Sequence, residues 1–334
     1  MKKVLSILLV SLLIFISACS NNAKPQSEST AKEISRVEVY ASIYPMYYLA
    51  KEIGKDKIDL ELMVPPGAEP HDWEPTAKLM AKMEKADIFI YNGVQMEMWA
   101  DRVIGALSNK ELIVVEASEG IDLLKLEEHS GEHEENGEEH KDEHEDEKHE
   151  GEEHEDDHGH GEYDPHVWLD PIRAIEQAKN IKDALVKADG ENREFYEANF
   201  NQLSDKLKGL DDRIRDELKD RKMDEIVVAH AAFGYLADRY GLKQVAISGL
   251  TPQEEPSAFK MAEITELVKE HGVKYIFYES LTSPKLSQVL AKETGAQTAV
   301  LNPIGGLPKE DIEAGKDYIS IMEENLESLK KALY

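Results

Sequence analysis

Apolar residues follow two periods along this chain, and the switches between them mark out its elements. Short β-branched runs predict strands over 37–43, 58–64, 88–91 and 112–115, and single apolar stripes predict helices over 46–54, 76–85 and 97–107 between them. Gly54, Pro65-Pro66-Gly67 and Asn92-Gly93 supply the stops. Single helices alternating with strands imply a parallel, helix-covered sheet. Two long helical segments, 172–187 and 191 to about 219, come later, separated by Asp189-Gly190, with Pro171 suited to a first helical position. The alternation then resumes, with strands over 226–229, 244–247, 273–278 and 298–301, helices over 234–240, 256–271 and 284–294, and a closing helix from about 309. The pattern predicts an α/β fold of two lobes, each a mainly parallel sheet covered by helices, joined by a helix.

Between the two alternating halves the pattern vanishes. Residues 127–161 hold eight histidines (His129, His133, His140, His144, His149, His154, His158 and His160), eighteen carboxylates and two lysines, with no large apolar side chain. Such a stretch cannot bury a core and reads as a solvated loop. Imidazoles favour borderline metals such as zinc, copper and nickel, so the chain is expected to handle one of them. His154-Glu155-Asp156-Asp157-His158 matches the pattern of zinc peptidases, but that chemistry needs a stable helix, which this coreless stretch does not supply. The tract carries more than half of the net charge of −29, and the moderately acidic remainder argues against nucleic-acid binding.

The chain opens with Lys2 and Lys3 and an apolar run over 4–16, too short to span a bilayer as a helix, followed by Ala18-Cys19. Cys19 is the only cysteine, and its place directly after a small residue resembles a bacterial lipobox. The expectation is a lipoprotein signal peptide over 1–18, lipidation at Cys19 and a flexible tether over 19–35. With no second cysteine there is no internal disulfide and no Cys-ligated zinc, so a metal site must be built from His and carboxylates.

Outside the tract four histidines remain. His230 directly follows a predicted strand, His71 lies in the Pro/Gly-rich loop after another, and Glu279 directly follows a third. Open parallel sheets bind ligands at the carboxyl ends of their strands. His166 lies in a proline-flanked segment at the junction of the lobes, and three imidazoles with one carboxylate make a zinc-like ligand set. His271, at a helix end before Gly272, suits the helix C-terminus and is set apart.

Four segments together resemble the zinc-binding branch of the solute-binding proteins of bacterial ABC importers, the ZnuA/AdcA type of the metal-binding cluster A-I family. They are Pro70-His71-Asp72-Trp73-Glu74-Pro75, Asp164-Pro165-His166-Val167-Trp168-Leu169-Asp170-Pro171, Ala229-His230-Ala231-Ala232-Phe233-Gly234-Tyr235 and Phe277-Tyr278-Glu279-Ser280-Leu281, with the His-rich insertion between the first two. The resemblance implies a metal in the cleft between the lobes and a rigid linking helix. Its ligands would be His71 and His166 from the first lobe, and His230 and Glu279 from the second. On this basis the first lobe spans 36–171 and contains the tract, the linking helix 172–189 and the second lobe 190–334.

The function so implied is a zinc receptor outside the cell, not an enzyme. It would be a monomer held to the membrane by its lipid, delivering Zn²⁺ to an importer permease and its ATPase, with the tract collecting or sensing zinc. His230 argues for zinc, since manganese-binding relatives carry a glutamate there and offer a harder site. A receptor for manganese or for divalent metals more broadly is the nearest alternative. A zinc hydrolase is another, in which three histidines would leave a position for water and Glu279 would act as base.

Overall fold

The computed structural model describes residues 36–126 and 163–334. The β-branched runs form two sheets in which every pairing is parallel. In the first, β1 (Val37–Ala41), β2 (Ile58–Leu62), β3 (Ile88–Tyr91) and β4 (Ile113–Glu116) lie in the order β2-β1-β3-β4, with Val39 opposite Leu60 on one side and Ile88 on the other. In the second, β5 (Glu225–Val228), β6 (Lys243–Ala246), β7 (Tyr275–Tyr278) and β8 (Gln297–Val300) repeat that order as β6-β5-β7-β8, with Val227 between Val245 and Ile276. Each sheet adds its second strand on one side of the first and its third on the other. The strand order therefore reverses between β1 and β3 and between β5 and β7, and the carboxyl ends beside such a reversal form a natural ligand crevice.

Helices cover both sheets, as parallel sheets require. They are α1 (Tyr44–Gly54), α2 (Ala77–Met83), α3 (Ala100–Ala106), α4 (Pro171–Ala188), α5 (Arg193–Leu218), α6 (Gly234–Tyr240), α7 (Ala258–Glu270), α8 (Lys285–Thr294), α9 (Lys309–Glu313) and α10 (Tyr318–Leu333). Side-chain caps open several of them. Thr76 accepts from the Leu79 N–H, Ser257 from that of Lys260, and Asp170 from that of Ile172, with Pro171 at the first helical position.

Two helices differ from the sequence expectation. α3 begins at Ala100 rather than near 97 because the Glu97 carboxylate is turned inward, accepting from the Asn92 and Gly93 N–H groups at 2.9 and 3.1 Å and from the Ser42 hydroxyl at 2.5 Å. The closing helix is two, α9 and α10. Gly315, at φ 76°, leaves the helical path between them, and Asp317 restarts it with a reciprocal cap on Ser320.

Of the two long helices, α5 touches both lobes. Near its start Asn199 donates to the Ile53 carbonyl at 2.9 Å and Lys206 pairs with Glu52 at 2.8 Å; further along Asp211 pairs with Arg239 at 2.7 Å and Arg213 with Glu323 at 2.5 Å. α4 lies along the first sheet, burying Ala174, Ala178 and Ile181, and Arg173 near its start reaches Asp238 of α6 at 3.3 Å. One apolar core runs from Val39 and Leu49 through Leu207 of α5 to Val228 and Leu329. Smaller cores lie beneath α2 and α3 (Met83, Phe89, Val103) and beneath α7 and α8 (Ile264, Ile276, Leu290).

Candidate metal centre

Four loops at the carboxyl edges of the two sheets carry the candidate residues. His71 sits in a short 3-10 turn, Pro70–Asp72, after β2; its N–H donates to the Glu69 carboxylate at 3.4 Å. The same loop is tied to the second lobe where the Gly67 N–H donates to the Leu307 carbonyl at 3.0 Å. His166 precedes a second such turn, Val167–Leu169. That segment is fixed at three points: Asn92 Nδ2 donates to the Pro165 carbonyl at 2.9 Å, Trp168 Nε1 to that of Pro303 at 2.7 Å, and the Tyr318 hydroxyl to the Trp168 carbonyl at 2.5 Å. His230 and Glu279 follow β5 and β7 and so flank the reversal point of the second sheet.

These loops bring three imidazoles together. One nitrogen from each of His71, His166 and His230 lies within 4.8 Å of the others, and the ring centroids are 5.3 to 5.7 Å apart. Nε2 of His71 and Nε2 of His166 are separated by 3.3 Å. A tetrahedral zinc with bonds of about 2.0–2.1 Å sets its ligand nitrogens about 3.3 Å apart, so the spacing fits that ion. The enclosed space is about 10 Å³, walled also by Glu69, Met96, Trp168 and Glu279. That is room for about one small ion or water between the rings.

Glu279 lies outside the cluster of three nitrogens but on the same cavity wall, buried at 3 % exposure. Its Oε1 is 2.5 Å from His230 Nδ1. A carboxylate accepts, so the proton of this contact belongs to Nδ1, which leaves the lone pair of His230 on Nε2. Both His230 Nε2 and Glu279 Oε2 are buried without a hydrogen-bond partner. Buried polar atoms rarely stay unpaired in a native fold, and two such atoms on one cavity wall are what a bound cation would satisfy. Asp164 makes a parallel contact on the other side, its Oδ1 accepting from His166 Nδ1 at 2.9 Å.

Burial sets the charge state of the pocket. It pushes His71 down to about 2, helped by the neighbouring His166 and His230 rings, so this imidazole keeps a free lone pair. Burial also raises the Glu69 carboxyl to about 7, against the lowering effect of the His71 N–H bond. His271 stands apart, closing α7 and 3.7 Å from Glu225. The eight tract histidines and Cys19 lie outside the described residues.

Sequence reasoning missed Asp164, Glu69 and Gln253. Asp164 lies two residues before His166, a spacing that lets a carboxylate turn back to the ring, and this was a signal available to read. Gln253 donates across the cleft to Asp72 Oδ2, and no local pattern encodes that contact.

Residues 39–332 match the family model described as the zinc-uptake complex component A, periplasmic. The chain is 41 % identical over 320 residues to the high-affinity zinc uptake system protein ZnuA of Bacillus subtilis, covering 96 % of this chain and 94 % of that one. It is 40 % identical over 333 residues to the zinc-binding lipoprotein AdcA of Streptococcus pneumoniae, covering 99 % of this chain but only 61 % of that longer protein. Among solved structures, the Zn(II)-bound ZnuA-like domain of Streptococcus pneumoniae AdcA superposes with a TM-score of 0.71 at 37 % identity, over 90 % of this chain and 99 % of that one.

Proposed function

The chain belongs to the zinc-uptake complex component A family, and from that premise we propose that it is a high-affinity extracytoplasmic receptor that binds Zn²⁺ between its lobes and delivers it to an ABC-type importer. The family is one of receptors rather than enzymes. The observation that carries the reading is the 3.3 Å separation of the His71 and His166 Nε2 atoms, with His230 closing the triangle from the other lobe. His71, His166 and His230 bind zinc through neutral imidazoles, and Glu279 supplies the fourth ligand through its unpartnered Oε2. Three imidazoles and one carboxylate favour zinc over a harder ion such as manganese.

Because the ligands come from two lobes, a small separation of the lobes at the permease and its ATPase removes half of them and frees the ion. The receptor works as a monomer held to the membrane through lipid on Cys19, and the histidines of 127–161 act as an accessory that gathers zinc. The lobes divide near α4 and α5, with strands β1 to β4 before them and β5 to β8 after.

Competitive titration against a chelator of known affinity tests this. One tight zinc per molecule is expected in the wild type. His230→Ala should weaken it by more than the roughly 10–100-fold that follows loss of an outer hydrogen-bond partner. Undiminished binding in that variant would sink the site.

A second reading of Glu279 is favoured by its 2.5 Å contact with His230 Nδ1. In this reading it orients the ring and leaves the metal three-coordinate in protein atoms, with water as the fourth partner. A crystal structure of the zinc-bound protein separates the two readings: Glu279 Oε2 at about 2.0–2.2 Å from the ion supports coordination, and water in the fourth position supports orientation.

A further inference from the structure

Behind His166 lies a contact that the proposed zinc set does not use. Asp164 Oδ1 accepts twice from His166, at 2.9 Å from its backbone N–H and at 2.9 Å from ring Nδ1. Asp164 is 4 % exposed, at the wall of a cavity that it shares with Gly234. Its second oxygen, Oδ2, presses against Gly234, where a Cβ would stand 2.3 Å away. Gly234 opens α6, four residues beyond His230. No special backbone conformation calls for glycine here; only the approach of the carboxylate does.

We propose that Asp164 is a positioning residue for zinc capture, holding the His166 ring with its proton on Nδ1 and its lone pair on Nε2, and that Gly234 is free of a side chain so that this carboxylate can be seated. The group that orients a ligand of one lobe is thereby braced by the helix that follows a ligand of the other. Outer carboxylate partners of metal-binding histidines fix the tautomer and raise basicity, and losing one costs about 10–100-fold in metal affinity. A side chain at 234 removes no polar atom, yet it must displace Asp164 and should copy the effect of deleting the carboxylate.

The inference rests on the assignment of His166 as a ligand, so His166→Ala is the reference variant. In the metal-free full chain, ¹⁵N imidazole correlation spectra report the His166 tautomer, and competitive zinc titration reports affinity. Wild type should show the Nδ1–H form alone. Asp164→Ala should show mixed tautomers and a loss of about 10–100-fold in zinc affinity, with Gly234→Ala moving both readouts in the same direction and Asp164→Asn, which keeps an acceptor oxygen, recovering part of the loss. Wild-type tautomer and affinity in Asp164→Ala, or in Asp164→Asn and Gly234→Ala should the alanine variant not fold, would overturn the proposal. If His166→Ala itself kept full affinity, the ligand assignment would fall, and the seat with it.

Discussion

Nε2 of His71 and Nε2 of His166 lie 3.3 Å apart, although 95 positions separate the two residues in the chain. Burial, helped by the neighbouring His166 and His230 rings, drives His71 down to about 2, so the ring stays neutral. The spacing is the one that two ligand nitrogens of a single tetrahedral zinc would show.

That depression ties the metal-free fold to pH. The unfolded chain protonates His71 below about pH 6.5, whereas the folded chain does so only near about 2, so the unfolded state binds more protons between those limits. Stability from this residue is complete above about pH 6.5 and is lost at up to about 1.4 kcal/mol per pH unit below it. Thermal unfolding of metal-free wild type and His71→Gln at about pH 7.5 and about pH 5 should show a smaller drop in Tm for the variant. Equal drops would mean that the ring titrates normally in the folded protein.

Glu97 acts with the opposite sign. Its carboxyl, fully buried, is raised to about 7 by burial, with the Ser42, Asn92 and Gly93 hydrogen bonds offsetting part of the rise. The folded state therefore holds a proton that the unfolded state releases near about pH 4.5, and stability is lost as pH rises through that window. Glu97→Gln should be less stable than wild type at about pH 5, having lost one acceptor for a backbone N–H, and should close that gap by about pH 8. Denaturant titration at both pH values measures it, and a gap that widens instead would contradict the sign.

Gln253 and Asp72 face each other from the two lobes, beside the proposed ligand His71, and the amide of the one donates to the carboxylate of the other. Both side chains are exposed, so a net worth of about 0.5–1.5 kcal/mol is the most to expect of the bond. Gln253→Ala should speed zinc release into excess chelator by up to about tenfold in stopped flow, with little change in Tm. An unchanged release rate would show that the contact does not restrain opening.

The His-rich tract is removable on structural grounds. Lys125 and Tyr163 form an antiparallel bridge, and the Asp164 N–H donates to the Leu124 carbonyl at 3.0 Å, so the chain ends on either side of 127–162 already lie together. Deleting residues 129–160 should leave Tm and one tight zinc per molecule unchanged. Loss of tight binding would make the tract the receptor and the pocket incidental.

The alternation of strands and helices was legible because covered parallel strands such as Ile88–Tyr91 are uninterrupted apolar runs, and helices such as Pro171–Ala188 carry their own caps and stripe. The three imidazoles were legible because so few histidines lie outside the tract, and each follows a recognisable strand or turn. Long-range relationships were not. Glu97 reads as a helix former, and only the folded loop shows it accepting from Asn92 and Gly93. Asn92-Gly93 reads as a plain turn, yet Val94 and Gln95 behind it adopt φ of 53° and 60°, costly for a β-branched residue, and line a cavity together with His71 and Met96. The reach of α5 across both lobes depends on Ile53 and Glu323, which no window around residue 200 contains.

The four proposed ligands come from four separate loops, two from each lobe, and no two lie near each other in sequence. Short metal-binding domains fold around their ion, which serves as a template. Here no stretch of unfolded chain outside the tract presents more than one of the proposed ligands, so on that ligand set cargo would not nucleate the structure. Zinc held by the proposed set would be an inspection mark: only a chain that has finished folding both sheets, and seated them on their shared core, could carry it.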